Sequence, residues 1–192
     1  MYRFNDNLIK NTFANLTKDY NLNQNYDDAR IIKGFVTNAT LSPNSSYHFH
    51  SLDKFNRGDI LTLDDDAYMI TGDIVNDRIS KYKGIADYCN FNDEVYIKEE
   101  VIVDYDELGR PIIEEVERLD RIEYGVLRYK DISIDDNNQI NTVIPIYTLF
   151  VRDTVDNRAR YIVNGTVKIE GIEHTIYNIV HVKRGLIELR LQ

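Results

Sequence analysis

Tryptophan is absent from this chain of 192 residues, proline occurs three times and cysteine once. The single cysteine, Cys89, excludes an internal disulfide framework. Three prolines and nine glycines are too few for a fibrous repeat or a Pro/Gly-rich linker. No apolar run approaches the length of a membrane-spanning helix, so no membrane partner is expected. The opening stretch Met1-Tyr2-Arg3-Phe4-Asn5-Asp6 lacks an apolar core of signal-peptide length. Synthesis in a reducing cytoplasm is therefore the expectation, and the four Asn-x-Ser/Thr triplets, such as Asn38-Ala39-Thr40, carry little weight as glycan sites. Cys89 reads as a small buried apolar residue, because no base is indicated near it to make it a nucleophile.

What the chain does have is β-forming material. Fourteen Tyr and seven Phe accompany many Ile and Val, within a hydrophobic fraction of 43% that suffices for a core. Length favours one compact domain or two small lobes sharing a core. Residues 6–20 carry a helical pattern, with Ile9, Phe13, Leu16 and Tyr20 on one face behind a cap at Asn5 or Asp6. The polar run Asn21 to Asp28 reads as a loop, or an arm that orders on contact. From Arg30 onward the signals are almost wholly β, with strands expected over 31–37, 59–64, 67–75 and 82–89.

One phrase occurs twice. Phe55-Asn56-Arg57-Gly58-Asp59-Ile60-Leu61-Thr62-Leu63 is followed by Tyr68-Met69-Ile70 and then Lys83-Gly84-Ile85-Ala86. Tyr161-Ile162-Val163-Asn164-Gly165-Thr166-Val167-Lys168-Ile169 is followed by His174-Thr175-Ile176 and then Arg184-Gly185-Leu186-Ile187. Each copy sets a Gly turn before an alternating strand, then a second strand, then a basic residue and Gly leading into a third. The expected fold is mainly β: a small antiparallel β-barrel or sandwich built from two similar β-units, with an N-terminal helix and a long projecting acidic β-hairpin. The expected divisions are 1–29 (helix and arm), 30–95 (first unit), 96–123 (hairpin) and 124–192 (second unit).

The formal net charge is -9, and it is concentrated. Between Asp93 and Glu123 lie twelve acids and only four basic residues, Lys98, Arg110, Arg118 and Arg121. That argues against a duplex-gripping surface, which needs a basic stripe to displace counterions. The acidic stretch is read as strands either side of a turn at Asp106-Glu107-Leu108-Gly109-Arg110-Pro111. It is a solvated hairpin, a projection for a basic partner, or the lining of a passage through which nucleic acid slides without sticking.

Other site-like features are weaker. Tyr47-His48-Phe49-His50 sets two imidazoles on one face of a strand. Two ligands are too few for structural zinc, which leaves surface or interface histidines. Asp104, Asp106, Gly109 and Glu115 match four positions of a calcium loop, but Leu108 cannot ligate through its side chain and the flanks read as strands. Asp64-Asp65-Asp66 reads as turn acids. No phosphate loop, nucleophile elbow or paired-carboxylate signature is present, so neither a catalytic residue nor a cofactor is expected.

Phe55-Asn56-Arg57-Gly58-Asp59, Tyr68-Met69-Ile70 and Tyr82-Lys83-Gly84-Ile85-Ala86-Asp87-Tyr88-Cys89-Asn90 together resemble tailed-bacteriophage virion proteins of the head-tail connector or stopper kind. Arg160 to Val163, through Gly185-Leu186-Ile187-Glu188-Leu189, resembles the terminal β-unit of the same group. The acidic hairpin has no counterpart in that resemblance. It implies a structural subunit without enzymatic activity, in a ring of like subunits around the DNA path. The expected location is the virion neck, between portal or adaptor proteins and tail proteins, after synthesis in the host cytoplasm, with DNA in the lumen but not specifically bound. Expected contact residues are the N-terminal arm, Tyr47, His48, Phe49 and His50 with their 41–54 loop, and Glu99, Glu100, Asp104, Glu107, Arg110, Glu114 and Glu115 of the 96–120 hairpin. Arg57, Gly58, Asp59, Lys83, Gly84 and Gly185 are read as turn and fold residues. The alternatives are an acidic binding module or DNA-mimic inhibitor, and another small tail or baseplate protein.

Overall fold

A computed structural model describes residues 11, 13, 15–38, 46–76, 81–132, 144–181 and 183–192. Thirteen strands account for most of them: β1 (Lys18–Leu22), β2 (Arg30–Asn38), β3 (Tyr47–Ser51), β4 (Ile60–Leu63), β5 (Asp66–Ile70), β6 (Val75–Asn76), β7 (Tyr82–Tyr88), β8 (Phe91–Tyr105), β9 (Pro111–Ile132), β10 (Ile144–Arg152), β11 (Thr166–Ile169), β12 (Ile172–Val180) and β13 (Leu186–Leu191). One short helix, α1 (Val155–Arg160), follows β10. The mainly β class is as expected, but the two units do not complete one barrel. Each closes, or nearly closes, on its own.

The first barrel runs β3-β2-β1-β4-β5-β7 and returns to β3 through the register Tyr47↔Ala86 to Ser51↔Tyr82, with β6 as a flap on β7. Alternation fills it: Tyr20, Leu22, Ile32, Phe49, Phe55, Leu61, Ile70 and Ala86 point inward. The second sheet runs β11-β12-β13-β10-β9-β8 and curls into a nearly closed barrel around Phe91, Leu149, Val151, Tyr161, Val167, Ile169, Ile176, Ile187, Leu189 and Leu191. A third apolar cluster draws on both barrels: Ile60, Ala67 and Met69 from the first, Val126, Phe150 and Leu186 from the second, and Cys89 between them. Burial pushes the Cys89 thiol well above the usual range.

Two expectations are corrected. Lys18–Leu22 is a strand, not the end of a helix, because pairing with β2 and β4 buries Tyr20 and Leu22 at a period of two. Residues 6–10, 12 and 14 of the expected 6–20 helix lie outside the described residues, and of the others only 11, 13, 15 and 16 are helical. The segment Asp153 to Asn157, expected as a break before the second unit, leads into α1, capped by Thr154, whose side chain accepts from the Asn157 amide at 3.1 Å. Tyr161 to Gly165 forms the turn before β11, as the Gly turn of the repeated phrase implies, with Gly165 N donating to Ile162 O at 2.9 Å.

Candidate assembly surface

The acidic segment forms a two-stranded ribbon. β8 and β9 pair from Phe91↔Gly125 outward to Tyr105↔Pro111, with irregularities between Val95 and Tyr96 and between Ile102 and Asp104. The first lies where the ribbon leaves the barrel; beyond it nearly every residue is exposed on both faces. At the tip, Asp106 Oδ1 accepts from the amides of Leu108 (2.9 Å) and Arg110 (2.8 Å), and Gly109 takes φ +74°. Residues 96–105 carry the tip about 30 Å beyond the barrel. The turn thus uses the Asp106 carboxylate, while Glu115 sits on β9 opposite Glu100.

Charge and apolar surface alternate along this arm. Across 96–119, eight carboxylates meet three cations. Glu100 faces Glu115 directly, a like-charge pair that weakens the ladder. Lys98 reaches Glu115 at 3.1 Å and Arg118 reaches Glu99 at 3.5 Å, exposed pairs worth about 0–1 kcal/mol each. Glu107 and Arg110 flank the tip, Glu114 lies opposite Val101 and Asp104 opposite Ile112. The register sets Tyr96, Ile102, Ile113 and Leu119 on one face and Ile97, Val101, Ile112 and Val116 on the other, all exposed.

The root is locked by polar groups that no local sequence pattern announces. Glu123, counted among the ribbon acids, is instead fully buried. The Tyr26 hydroxyl and Asn157 Nδ2 (2.8 Å) donate to its Oε1, and Arg121 Nε lies 3.6 Å from Oε2. Burial raises the Glu123 carboxyl pKa against the pull of those partners. Asn25 Nδ2 donates to Ile122 O at 2.7 Å, and Arg160 pairs with Asp93 at 2.6 Å. The Asn21–Asp28 stretch is therefore not a free arm. Asn23 Nδ2 donates to Asp28 and Asp59 at 3.0 Å each, and its Oδ1 accepts from the Ile60 amide at 2.8 Å. Arg152 from β10 grips Asp28 through both oxygens (3.0 and 2.7 Å), lies 3.6 Å from Asp59, and stacks its guanidinium 4.4 Å from the Tyr26 ring.

Several of the remaining sequence candidates fall inside the fold. Arg57 pairs with Asp73, and Asp59 is buried, accepting from the Asn56 amide at 2.7 Å, so Arg57-Gly58-Asp59 is structural. Asn90 doubles as a strand residue: it donates to Leu127 O at 2.9 Å and accepts from Leu127 N at 2.7 Å, while Arg128 pairs with Asp87 at 2.7 Å. Lys83 is exposed on β7, and Gly84 backs onto Phe55. Residues 41–45 of the expected contact loop lie outside the described residues. Within Tyr47-His48-Phe49-His50, Phe49 is corrected to core and His50 to a buried position. Tyr47 and His48 are half-buried. His50 stacks on Phe35 with centroids 4.8 Å apart, its Nε2 lies 3.2 Å from Thr37 Oγ1, and the His48 ring is 6.3 Å away.

Burial, helped by Lys81, Lys83 and His48, depresses the His50 pKa to about 4. A histidine depressed in the folded state takes up its proton on unfolding. Its contribution is present above the unfolded value near 6.5 and is lost as pH falls from there toward about 4. Urea midpoints measured over that window should fall less steeply for His50→Phe than for the native chain.

Among the described residues no group of three or more His, Cys, Asp and Glu side chains is placed to hold a metal ion. Asp64 takes φ +53° in the β4–β5 turn and Asp66 begins β5. No helix among the described residues is long and apolar enough to cross a membrane. A scan against protein-family models, a search of curated proteins and a search of solved structures each find no match to this chain.

Proposed function

We propose that this chain is a structural assembly subunit whose 96–119 ribbon is the arm that engages a neighbour. One observation carries the reading. A two-stranded arm leaves its barrel with large apolar side chains on both faces, although a lone hairpin is marginal in water and exposed strands invite pairing. Such an arm gains its stability when another surface covers it. The rigid seam between the barrels, meanwhile, supplies a stiff base.

The finer assignment rests on the Phe55–Asn90 resemblance. It is a head-tail connector or stopper subunit of a tailed phage, in a ring around the DNA channel at the neck, touching portal or adaptor and tail proteins. Ribbon carboxylates facing the channel would repel phosphates and let DNA slide. Native mass together with electron microscopy of a parent virion tests this: a ring, or density at the head–tail junction, supports it, and a monomer missing from virions overturns it.

A second reading is an acidic module whose ribbon occupies a basic partner's cleft, although an excess of acid on one arm is narrower than the acid-covered surface of a nucleic-acid mimic. Changing Glu99, Glu100, Glu114 and Glu115 together to Lys separates fold from function. Because all four lie on the ribbon, the melting temperature should move by only a few degrees. Assembly, or infectious yield, should drop at least tenfold; wild-type yield would sink both roles for the ribbon.

A further inference from the structure

The outer face of the second barrel carries a hollow of about 200 Å³ lined by Phe150, Val180, Lys183, Leu186, Glu188 and Arg190. The register explains its composition. Phe150 lies opposite Glu188 on β13 and Val126 on β9, and Val180 opposite Glu188, so these side chains share a face. The floor is apolar, and Lys183 Nζ lies 6.0 Å from the Phe150 ring, while the Arg128 guanidinium, 5.1 Å from the same ring, is engaged by Asp87. Arg190 adds a second positive group to the lining, held by Glu188 at 3.2 Å. The hollow is smaller than the roughly 300–1,000 Å³ usual for small-molecule sites. It suits a single aliphatic side chain with an acid beside it.

The ribbon tip offers that pair. Leu108 is 75% exposed at the outermost turn, and Glu107 precedes it. We propose that the tip of one copy seats in the Phe150 hollow of a second copy, Leu108 entering over the ring and Glu107 meeting Lys183 and Arg190. The proposal deepens the assembly reading and rests on it.

Geometry requires the second copy. Phe150 pairs with Val126, and the stretch of β9 from Pro111 to Val126 is about 50 Å long, so a straight ribbon holds its own tip far from its own hollow. Charge sets the polarity of the contact. Ribbon against ribbon would oppose the Glu100 and Glu115 faces, whereas tip against hollow joins opposite signs. A tip-to-hollow contact is heterologous: it closes into a ring where the rotation allows, and otherwise propagates.

The test uses the full chain in two single-site variants, Leu108→Cys and Val180→Cys, with native Cys89 left in place because it is buried. A bifunctional thiol cross-linker of short span should join the two when mixed and give little product with either alone. Leu108→Arg should weaken self-association by light scattering at least tenfold without moving the urea midpoint, and Glu107→Lys should weaken it until paired with Lys183→Glu. Assembly that survives Leu108→Arg, with no mixed cross-link, overturns the seat and leaves the assembly subunit standing. A chain that stays monomeric at high concentration with no mixed cross-link also overturns the seat. If that chain is missing from virions as well, the assembly reading falls with it.

Discussion

Gly185→Ala is expected to destabilise the protein by about 3 kcal/mol or more, more than any surface change in the molecule. Gly185 takes φ +88°, where an L side chain is strained, and a Cβ there would lie 2.1 Å from Arg57 O. The contact is reciprocal, since Gly58, also at φ +88°, would place its Cβ 1.8 Å from Gly185 O. Backbone meets backbone at this point, so no rotamer can relieve the clash. Asp153 N donates to Gly185 O at 3.1 Å and Gly58 N to Ile70 O at 2.8 Å, which ties both turns to their own barrels. Relief would have to open the Ile60–Phe150–Leu186 seam. At roughly 2–4 °C per kcal/mol for a chain of this size, the melting temperature should fall by about 6–12 °C. Gly58→Ala should cost a similar amount, and the double variant should fall short of the sum because both remove one contact. A loss below about 1 kcal/mol for either single variant would contradict the close approach.

Arg152→Ala should be the next most damaging change, at about 3 kcal/mol, because it leaves buried Asp59 without its nearest cation and strips Asp28 of a two-point partner. The loss should carry a pH signature. Arg152, chiefly by hydrogen bonding, holds the Asp28 carboxyl below its ordinary 3.8. A depressed acid stabilises the fold above its unfolded pKa, and that contribution is lost as pH falls through the folded value. Native chain and variant should therefore differ fully at neutral pH and converge below about pH 4, in urea titrations taken at each pH. Arg152→Lys should recover only part, since an ammonium cannot span both oxygens and stack on Tyr26 together. A constant difference across the acid range would remove Asp28 from the account.

These two sites differ in how far the sequence reveals them. Gly58 and Gly185 stand out as glycines beside alternating strands, but each reads as the turn of its own unit. That they face each other follows only once two barrels pack. The same holds for closure: the alternation of β3 and β7 is plain, yet the pairing of Ser51 with Tyr82 is a long-range choice of edges that local patterns do not encode. Helical spacing at Phe13, Leu16 and Tyr20 loses to strand pairing once β2 and β4 accept Lys18–Leu22 on both edges. The six residues of α1 are too few to show a helical period, although Thr154 is a recognisable cap. The ribbon is legible because its turn chemistry and charge are local. The clasp of Asn23, Tyr26, Arg152, Glu123 and Asn157 is not, because polar residues scattered along the chain acquire meaning only by meeting.

The continuous run of β9, bulged at Asp120, makes it a lever. One strand of 22 residues is ribbon at its start and barrel wall at its end, where it pairs with β10 from Gly125 to Ile132. A sideways push on the tip turns about the Glu123 fulcrum, and its short arm lies beside Phe150. Load on the distal end and the shape of the Phe150 floor are therefore mechanically in series.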